Sequence, residues 1–472
     1  MKKILCILLI VAVIVPCCFL MLTACDNNTT DYAHTIIFYS SQGDKLQKQT
    51  AIAIAAFEAK YPGWKVEHVT AGGYDDVKEK IVSDFQGQQQ PDLAYCYADH
   101  VAQYLKTRKV VDLNTLINSD AEVNGNKVGY TAEEIADFVP GYYKEGLASN
   151  YGDYEKYGYS ADAMLTLPFV KSTELMYYNK DALDSLGLEP AETWDELWAQ
   201  CDKIRETYTK ATPLGYDSEA NWFITLCEQN GWGYTSAAEP HYLFNNAETT
   251  AWLTELHALY EKKYITTQAI YNAYTSALFT EGVTVEKTKE DGTKYMAPEG
   301  GGIVYCIGSS GGASYQDPAG KFNYGIAPIP GTKQADGTIK RSAISQGPSL
   351  VMFEAGNGVE NIDEKKQMTF LFMKELLDPT FQASFAIESG YNPSRLSTYE
   401  NEAYIAHMDG DKITAVAAKV ASSMSEDFFT SPAFIGSSTA RTQVGNVIVY
   451  SLTGSKSPEK ALRDAYKNCG GK

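Results

Sequence analysis

Residues 167–183, LPFVKSTELMYYNKDAL, indicate how the chain is divided. Apolar residues up to Phe169 predict the end of one strand, and Glu174–Tyr178 predicts a second strand that leads into a helix. The residues between the two strands, 170–173, follow neither period. Two strands joined in this way are typical of a hinge between two lobes rather than of a loop within one lobe. With 472 residues, the chain is long enough for two or three domains.

An alternation of strands and helices precedes this hinge. Strands are predicted at 35–39, at 64–69 and within PDLAYCYA at 91–98, and helices at 44–60 and 75–86 separate them. A β-α-β-α-β order predicts an α/β fold in which helices cover the faces of a parallel sheet.

Helices with recognisable ends follow the hinge. Thr193 and Glu196 have the spacing of a capping box, which predicts a helix that begins after Thr193 and runs to about Arg205. Further helices are predicted at 246–263, at 365–378 with Pro379 as its end, and at 457–468, where Ser457 is the N-cap.

The first 24 residues are predicted to be a signal peptide rather than part of the fold. A basic start, Met1–Lys3, precedes an apolar run, and Leu22-Thr23-Ala24-Cys25 resembles a lipobox. In lipoproteins of this kind a diacylglyceryl group is attached to the cysteine, so Cys25 is the predicted lipidation site and residues 25–31 are the lipidated tether. The alternative is an uncleaved transmembrane anchor. Both interpretations place the rest of the chain at the extracellular face of the cytoplasmic membrane.

Composition argues against several classes of function. The chain has 59 acidic and 40 basic residues and a net charge of −19, so nucleic acid and anionic lipid should be repelled. The six histidines are dispersed and no phosphate-loop or dinucleotide motif occurs, so we expect neither a metal nor a cofactor. The cysteines beyond Cys25 are scattered without a C-x-x-C pair, which predicts small core residues rather than a disulfide framework. They are Cys96, Cys201, Cys227, Cys306 and Cys469.

The stretch Gly308-Ser309-Ser310-Gly311-Gly312 allows more than one interpretation. As G-x-S-x-G it resembles a nucleophile elbow with Ser310 as the nucleophile. That chemistry needs a downstream histidine; His407 is the only one, and no H-G-G-G segment precedes the serine. As a turn of small residues that opens a helix, the stretch instead offers backbone amides to a phosphate or a sugar hydroxyl. An ordinary Gly/Ser turn is the third interpretation.

Five stretches of the chain resemble a known family. They are LPFVKSTELMYYNKDAL, IGSSGGASYQDPAGKFNYGIAPIP, SQGPSLVMF, ESGYNPSR and SSTARTQVGNVIVYSLTGSKSPEKAL. Their order and spacing, between about residues 35 and 469, resemble the extracellular solute-binding proteins (family 1) of ABC importers. Within that family they are most similar to the members that bind glycerol-3-phosphate.

The resemblance implies a two-lobed, type II periplasmic-binding-protein-like α/β fold with a ligand cleft between the lobes. Lobe 1 would comprise residues 32–169 plus 343–393, and lobe 2 would comprise 170–342 plus 394–472. Hinges are expected near residues 170, 342 and 393, where the chain passes between the lobes.

The resemblance also implies roles for individual residues. Tyr74 would hydrogen-bond the ligand, and Ser172 would lie at the first crossing between the lobes. The residues expected around a phosphate are Ser309 or Ser310, Gly311, Gly347, Tyr391 and Arg441. Arginine suits this role because its guanidinium directs two N–H bonds onto one phosphate.

One position departs from the glycerol-3-phosphate binders, which have a polyol-binding glutamate directly after the strand tyrosine. Here Tyr97 is followed by Ala98, and Asp99 stands one residue further along. The phosphate end of the site is therefore better matched than the hydroxyl end. Trp222 and Trp232 are candidate stacking walls for a sugar or a glycerol backbone, with core packing as the alternative.

Together these features predict a lipid-anchored, monomeric binding protein without catalytic residues. Its ligand would be glycerol-3-phosphate, a glycerophosphodiester or a related sugar or sugar phosphate, which it would deliver to the transmembrane subunits of an ABC permease. The alternatives are a binder of neutral oligosaccharides with the same fold, a secreted serine hydrolase that uses Ser310, and a surface adhesin.

Overall fold

The computed structural model describes residues 31–356 and 359–471. The predicted signal peptide and Cys25 lie outside the described residues. The strands of the two main sheets are β1 (Thr35–Ser40), β2 (Lys65–Thr70), β3 (Leu93–Cys96), β4 (Leu167–Pro168), β5 (Glu174–Asn179), β6 (Thr212–Tyr216), β7 (Ile265–Thr267), β8 (Ile303–Ser309), β9 (Tyr324–Pro328) and β10 (Ser349–Met352).

The described α-helices vary from one turn to nearly five. They are α1 (Asp44–Lys60), α2 (Tyr74–Gln86), α3 (Ala98–Tyr104), α4 (Asn114–Ile117), α5 (Ala132–Ala136), α6 (Pro140–Lys144), α7 (Lys180–Leu186), α8 (Trp194–Thr207), α9 (Glu219–Asn230), α10 (Ala247–Glu261), α11 (Gln268–Tyr271), α12 (Ser276–Glu281), α13 (Ile362–Leu376), α14 (Pro379–Ser389), α15 (Glu402–Met408), α16 (Ile413–Ser423), α17 (Ser437–Leu452) and α18 (Pro458–Asn468). None of these described helices is long and apolar enough to span a membrane.

The sheet of lobe 1 has the strand order β2-β1-β3-β10-β4. β1 pairs in parallel with β2 and β3, as the alternation of strands and helices predicted. Successive side chains of β1 enter different cores: Phe38 packs with α1 and α13, and Tyr39 packs with α2. Both faces of the sheet are thus covered by helices, as in other α/β proteins.

The sheet of lobe 2 has the order β7-β6-β8-β5-β9. β6 pairs in parallel with β7 and β8, whereas β5 runs antiparallel to β8 and β9. One large core contains this sheet and the helices α8, α9, α10, α17 and α18. The structure therefore has two α/β lobes, each with its own sheet.

In each sheet, one strand runs against the others, and it is the strand that arrives from the other lobe. β5 enters lobe 2 directly after β4 of lobe 1, and β10 is antiparallel to β3 and β4. The parallel arrangement predicted from residues 35–98 is confirmed for β1, β2 and β3, and the antiparallel strands β5 and β10 lie outside that stretch. A strand that enters from the hinge starts at the edge where the parallel strands end, so it must run in the opposite direction.

The three segments predicted as hinges lie side by side. Val170–Lys171 forms a short antiparallel ladder with Asn392–Pro393. Next to it, the backbone N–H groups of Ser172 and Gln346 each donate to the other residue's carbonyl at 2.8 Å. The segment predicted to be irregular, 170–173, is thus partly strand, because it finds a partner more than 200 residues away in the chain.

Residues 394–408 pack differently from the predicted division, which assigned them to lobe 2. Arg395 Nε donates to Asp137 in lobe 1 at 2.8 Å, and Tyr404 of α15 packs on α14. The chain rejoins lobe 2 with α16, whose Ile413 and Ala417 lie in the core of that lobe.

Most predicted helix ends are close to the observed ends. The capping box is confirmed: the Glu196 amide donates to Thr193 Oγ1 at 3.2 Å, and the Thr193 amide donates to Glu196 Oε2 at 3.3 Å. α13 ends at Leu376, and Pro379 is the first residue of α14 rather than only a terminator. Proline suits that position because the first turn of a helix needs no N–H from it.

The predicted role of the cysteines is also confirmed. Cys96, Cys201, Cys227 and Cys306 are buried, Cys469 is half-buried, and all five are free thiols. Burial raises the pKa of each thiol, so none of these five is a reactive thiolate at neutral pH.

Candidate functional site

A cavity of about 90 Å³ lies between the lobes, where the parallel strands of lobe 1 end. Its lobe 1 wall includes Tyr97, Ala98 and Asp99, which follow β3 directly. We call residues 170–173 and Ser345–Gly347 the crossing segments, because the chain passes between the lobes there. The second crossing segment and α17 of lobe 2 form other walls of the cavity. The carboxyl ends of strands in open α/β sheets are the usual place for ligands, so this cavity is the candidate functional site.

Arg441 of α17 brings a positive charge to this cavity. Its Nη2 donates to Asn221 Oδ1 on α9, which is a neutral acceptor. Among the described residues no carboxylate forms an ion pair with it, although Arg341 pairs with Glu192 and Arg395 with Asp137. A guanidinium in a cavity without a carboxylate partner has donors left for an anion.

Asn221 is the centre of a buried hydrogen-bond network behind Arg441. Its Nδ2 donates to Glu174 Oε1 at 3.0 Å and to Gln346 Oε1 at 2.9 Å. Gln346 Nε2 donates back to Asn221 Oδ1 at 3.1 Å. Tyr216 Oη donates to the other oxygen of Glu174 at 2.6 Å. The network joins lobe 2 to both crossing segments, because Glu174 begins β5 and Gln346 precedes β10.

Glu174 contributes the carboxyl group of this network, and its side chain is buried. Burial raises the pKa of the Glu174 carboxyl to about 7, although the hydrogen bonds from Tyr216 and Asn221 and the charge of Arg441 lower it. The carboxyl thus titrates near neutral pH in the folded protein.

Replacing Glu174 with glutamine should stabilise the protein at alkaline pH and have a smaller effect at acid pH. An unfolded glutamate ionises near pH 4.5, and the folded one resists ionisation until about pH 7, so wild-type stability falls as pH rises between these values. The free energy of unfolding of the variant, relative to wild type, should rise by about 3 kcal/mol across this window. Denaturant unfolding at several pH values measures the difference. Asp217, whose pKa burial raises to about 6, is present in both proteins and cancels. A difference that stays constant with pH would contradict the raised pKa.

Three tyrosines extend the site beyond the cavity. Tyr97 lines the cavity and stacks on Tyr74 with ring centres 4.3 Å apart. The hydroxyls of Tyr74 and Tyr391 are 3.3 Å apart. Burial raises the pKa of all three, so they are neutral hydroxyl groups at physiological pH. They offer both hydrogen bonds and flat aromatic surface to a ligand.

The loop after β8 meets the same tyrosines. Gly311 lies so close to Tyr391 that a Cβ on it would come within 2.3 Å of the ring. Ser309 Oγ accepts a bond from the Gly311 amide at 3.1 Å, and the Ser310 amide donates to Thr173 O at 2.8 Å. Two amides of the predicted anion-binding turn are therefore already paired within the protein. The turn opens a short 3₁₀ helix, Ser310–Tyr315.

The environment of Ser310 does not suit a nucleophile. The residue is fully buried, and its Oγ accepts a bond from the Thr173 amide at 3.3 Å. His407 lies on α15, where its ring is 3.3 Å from the Thr414 hydroxyl, and no hydrogen bond in the described chain joins it to Ser310. A serine without a base cannot be activated in the way hydrolases require.

The remaining predicted site residues fall into two groups. Asp99 and Gly347 line the cavity with Arg441, and Ser172 pairs with the cavity residue Gln346. Ala98, where the resemblance to the glycerol-3-phosphate binders led us to expect a glutamate, is exposed in the same wall. Trp222 is 1% exposed and stacks on Tyr216 in the lobe 2 core, with ring centres 4.8 Å apart. Trp232 packs against the same core, so the position of both tryptophans favours the core-packing alternative.

Several residues at the cavity were not anticipated from the sequence. Lys171 is 4% exposed and forms an ion pair with Glu145, and both line the cavity. Tyr234 lines it as well. Lys171 and Gln346 stand next to the predicted residues Ser172 and Gly347, so sequence proximity was the only available signal for them. Asn221 likewise directly precedes the candidate Trp222, and Glu174 lies two residues after Ser172.

Comparison with known proteins places this geometry in context. The sequence profile of the family described as bacterial extracellular solute-binding protein matches residues 53–409. The sn-glycerol-3-phosphate-binding periplasmic protein UgpB of Salmonella typhimurium is 24% identical over 439 residues, which cover 91% of this chain and 90% of the relative.

Two solved structures have a similar fold. UgpB from Mycobacterium tuberculosis, in complex with glycerophosphocholine, superposes with a TM-score of 0.68 at 16% identity, covering 92% of this chain and 97% of that one. The GacH receptor of Streptomyces glaucescens, solved unliganded and with acarbose, gives a TM-score of 0.68 at 17% identity, covering 92% and 98%. At these identities the two structures establish the fold of the present chain and leave its ligand open.

Proposed function

The chain belongs to the bacterial extracellular solute-binding proteins, and from this premise we propose that it captures a small phosphorylated polyol. The ligand would be glycerol-3-phosphate, a glycerophosphodiester or a related sugar phosphate. As a monomer, the protein would deliver it to the transmembrane subunits of an ABC permease. Binding in this family makes and breaks no covalent bond.

The observation that carries the proposal is the position of Arg441. Its guanidinium lines a cavity between the lobes and has a neutral side chain, Asn221, as its protein acceptor. A cation placed in this way is stabilised by an anionic ligand with two acceptor oxygens, and phosphate provides them. The UgpB relatives are named for binding glycerol-3-phosphate, which agrees with this chemistry.

Closure of the lobes is the proposed mechanism of capture. Tyr97 and Asp99 of lobe 1 face the same cavity as Arg441 of lobe 2. A ligand that contacts both walls is bound more strongly when the walls are close, so it shifts the population toward the closed form. The permease would recognise that form.

Neutral oligosaccharides are the second candidate. The stacked pair Tyr74 and Tyr97 offers aromatic surface, and the carboxylates of Asp99 and Glu145 at the cavity are acceptors for sugar hydroxyls. Asp99 also repels an anion, which is the argument against phosphate, whereas the charge of Glu145 is balanced by Lys171. GacH was solved with acarbose, so the fold accommodates such ligands.

Thermal or chemical unfolding against matched pairs of compounds tests the proposal. The pairs are glycerol with glycerol-3-phosphate and glucose with glucose-6-phosphate, together with glycerophosphocholine and maltose-type oligosaccharides. A ligand at about 100 times its Kd stabilises the folded protein by about 2.7 kcal/mol. We expect stabilisation by phosphorylated compounds only. Stabilisation by oligosaccharides only would overturn the phosphorylated ligand in favour of a neutral sugar. If no compound stabilised the protein, an adhesin would be favoured.

The proposed location is the extracellular face of the cytoplasmic membrane, with a diacylglyceryl anchor on Cys25. The lipobox-like sequence before this cysteine and the polar residues after it support the proposal. Two acyl chains hold a protein stably on a bilayer. Labelled palmitate should enter the wild-type protein and not Cys25→Ala; equal labelling of the two would overturn the anchor.

A further inference from the structure

We propose that Glu174 is a positioning residue for the ligand-binding guanidinium. Its carboxylate fixes the side-chain amide of Asn221, and Asn221 in turn holds Arg441 at the cavity. The inference deepens the proposed function and rests on it, since it concerns how the arginine is presented to the ligand. It concerns a residue that does not line the cavity itself.

The first step of the argument is the rigidity of Glu174. The residue is 2% exposed and begins β5, where it is paired with Ser309 in the sheet of lobe 2. Both carboxylate oxygens are occupied, one by Tyr216 Oη at 2.6 Å and the other by Asn221 Nδ2 at 3.0 Å. A short side chain on a sheet strand with both oxygens bonded has little freedom to move.

The second step is the orientation of the Asn221 amide. Asn221 and Gln346 form a reciprocal amide pair, with bonds of 2.9 and 3.1 Å. Such a pair is satisfied equally well if both amides turn over, so it does not select an orientation by itself. Oε1 of Glu174 accepts a hydrogen bond both when the carboxyl is ionised and when its other oxygen carries a proton toward Tyr216 Oη, so Glu174 favours the orientation in which the Nδ2 side of Asn221 faces it. The Oδ1 side then faces Arg441.

The third step concerns what Arg441 needs. Its Nη2 donates to that Oδ1, and a turned amide would instead present Nδ2, donor against donor. Arg441 favours the same orientation, but it does so through a long, flexible side chain that has no carboxylate partner in the described chain. We therefore take Glu174 as the residue that orients Asn221, and Asn221 as the residue that positions the guanidinium of Arg441.

Crystal structures of three variants test this order without any ligand. Glu174→Met and Glu174→Ala both remove the acceptor. Methionine has a volume similar to that of glutamate, whereas alanine leaves room for water. Because the two variants differ in this way, one of them can fold even if the other does not. Glu174→Gln keeps an acceptor for Asn221 when its Nε2 faces Tyr216 Oη, because that hydroxyl can accept the bond. We expect Arg441 to leave Asn221 Oδ1 in the Met and Ala variants and to stay in the Gln variant. An unmoved guanidinium in the Met or Ala variant overturns the proposal.

Calorimetric titration with glycerol-3-phosphate gives the functional readout. The Met and Ala variants should bind about tenfold more weakly, as occurs when hydrogen-bond partners behind metal-ligating side chains are lost. Glu174→Gln should bind as wild type does. Gln229→Met is the matched control: Gln229 is a buried polar residue on the same helix as Asn221, but it bonds to Trp194, Pro330 and Ser342 instead. It should lose stability and keep its affinity. Equal weakening in the control would show general damage and overturn a specific role.

The two proposals fail in distinguishable ways. If wild type binds none of the phosphorylated compounds, or if Arg441→Gln binds them normally, the proposed function fails while the crystal structures still decide the role of Glu174. If Arg441→Gln loses binding and the Met and Ala variants retain it, the positioning role alone fails. Glu174→Met combined with Arg441→Gln should bind no more weakly than Arg441→Gln alone, because the two residues act through one contact.

Discussion

Replacing Arg441 with glutamine is expected to weaken binding of glycerol-3-phosphate by at least about 100-fold, or about 3 kcal/mol. The phosphate would lose its charge-assisted, two-pronged hydrogen bonds and remain near the carboxylate of Asp99, while Lys171 at the same cavity is already paired with Glu145. Glutamine is uncharged but keeps an N–H donor for Asn221, so we expect the variant to fold. Isothermal titration calorimetry measures the loss.

Two other arginine variants show whether that loss of affinity is specific to the guanidinium of Arg441. Arg341→Gln is the matched control, because Arg341 pairs with Glu192 away from the cavity and its loss should leave the affinity unchanged. Arg441→Lys keeps the charge and loses the fork, so intermediate affinity is expected. Normal affinity in Arg441→Gln would contradict a phosphate at this position and leave the family membership untouched.

Replacing Gly347 with alanine is expected to destabilise the protein by more than about 3 kcal/mol, because strain and steric overlap act together. Its φ of +106° disfavours any side chain. In addition, a Cβ would lie 2.2 Å from Val170 O and 2.6 Å from Lys171 Cα, on the neighbouring crossing segment. These are backbone atoms, so relief requires the two crossing segments to separate. Denaturant unfolding measures the change.

Gly337 separates the two causes. It also has a positive φ, +88°, but a Cβ there would meet nothing within 4 Å. Gly337→Ala should therefore cost about 1–2 kcal/mol, the backbone strain alone. If the two variants lose the same free energy of unfolding, steric overlap between the crossing segments does not add to the cost of Gly347→Ala. We also expect Gly347→Ala to weaken ligand binding, since Gly347 lines the cavity.

Much of the fold was predictable because local signals determined it. The apolar spacing and stop signals of α1 gave the observed range, 44–60, and the capping box at Thr193 marked the start of α8. The direction of β5 and β10 was not predictable from such signals. The direction of each strand depends on the edge of the sheet at which the chain enters, and that edge is determined by how the whole chain passes between the lobes.

The site divides in the same way. Arg441, Gly347 and Tyr391 were expected only through resemblance to a family, and the structure places them at or beside the cavity. Asn221 and Glu174 were missed because each finds its partner across 47 to 220 residues of chain. Trp222 and Trp232 illustrate the opposite problem, since residue type alone does not distinguish a ligand wall from a core.

The interleaved strands also set the order in which the lobes can be completed. Lobe 1 begins at the amino-terminal end of the described chain, but β10, at Ser349–Met352, lies between β3 and β4 in its sheet. A ribosome must therefore synthesise most of lobe 2 before lobe 1 can close its sheet. For a chain proposed to function outside the cytoplasmic membrane, the consequence is that the complete lobe 1 sheet forms only once residues as far as Met352 are available.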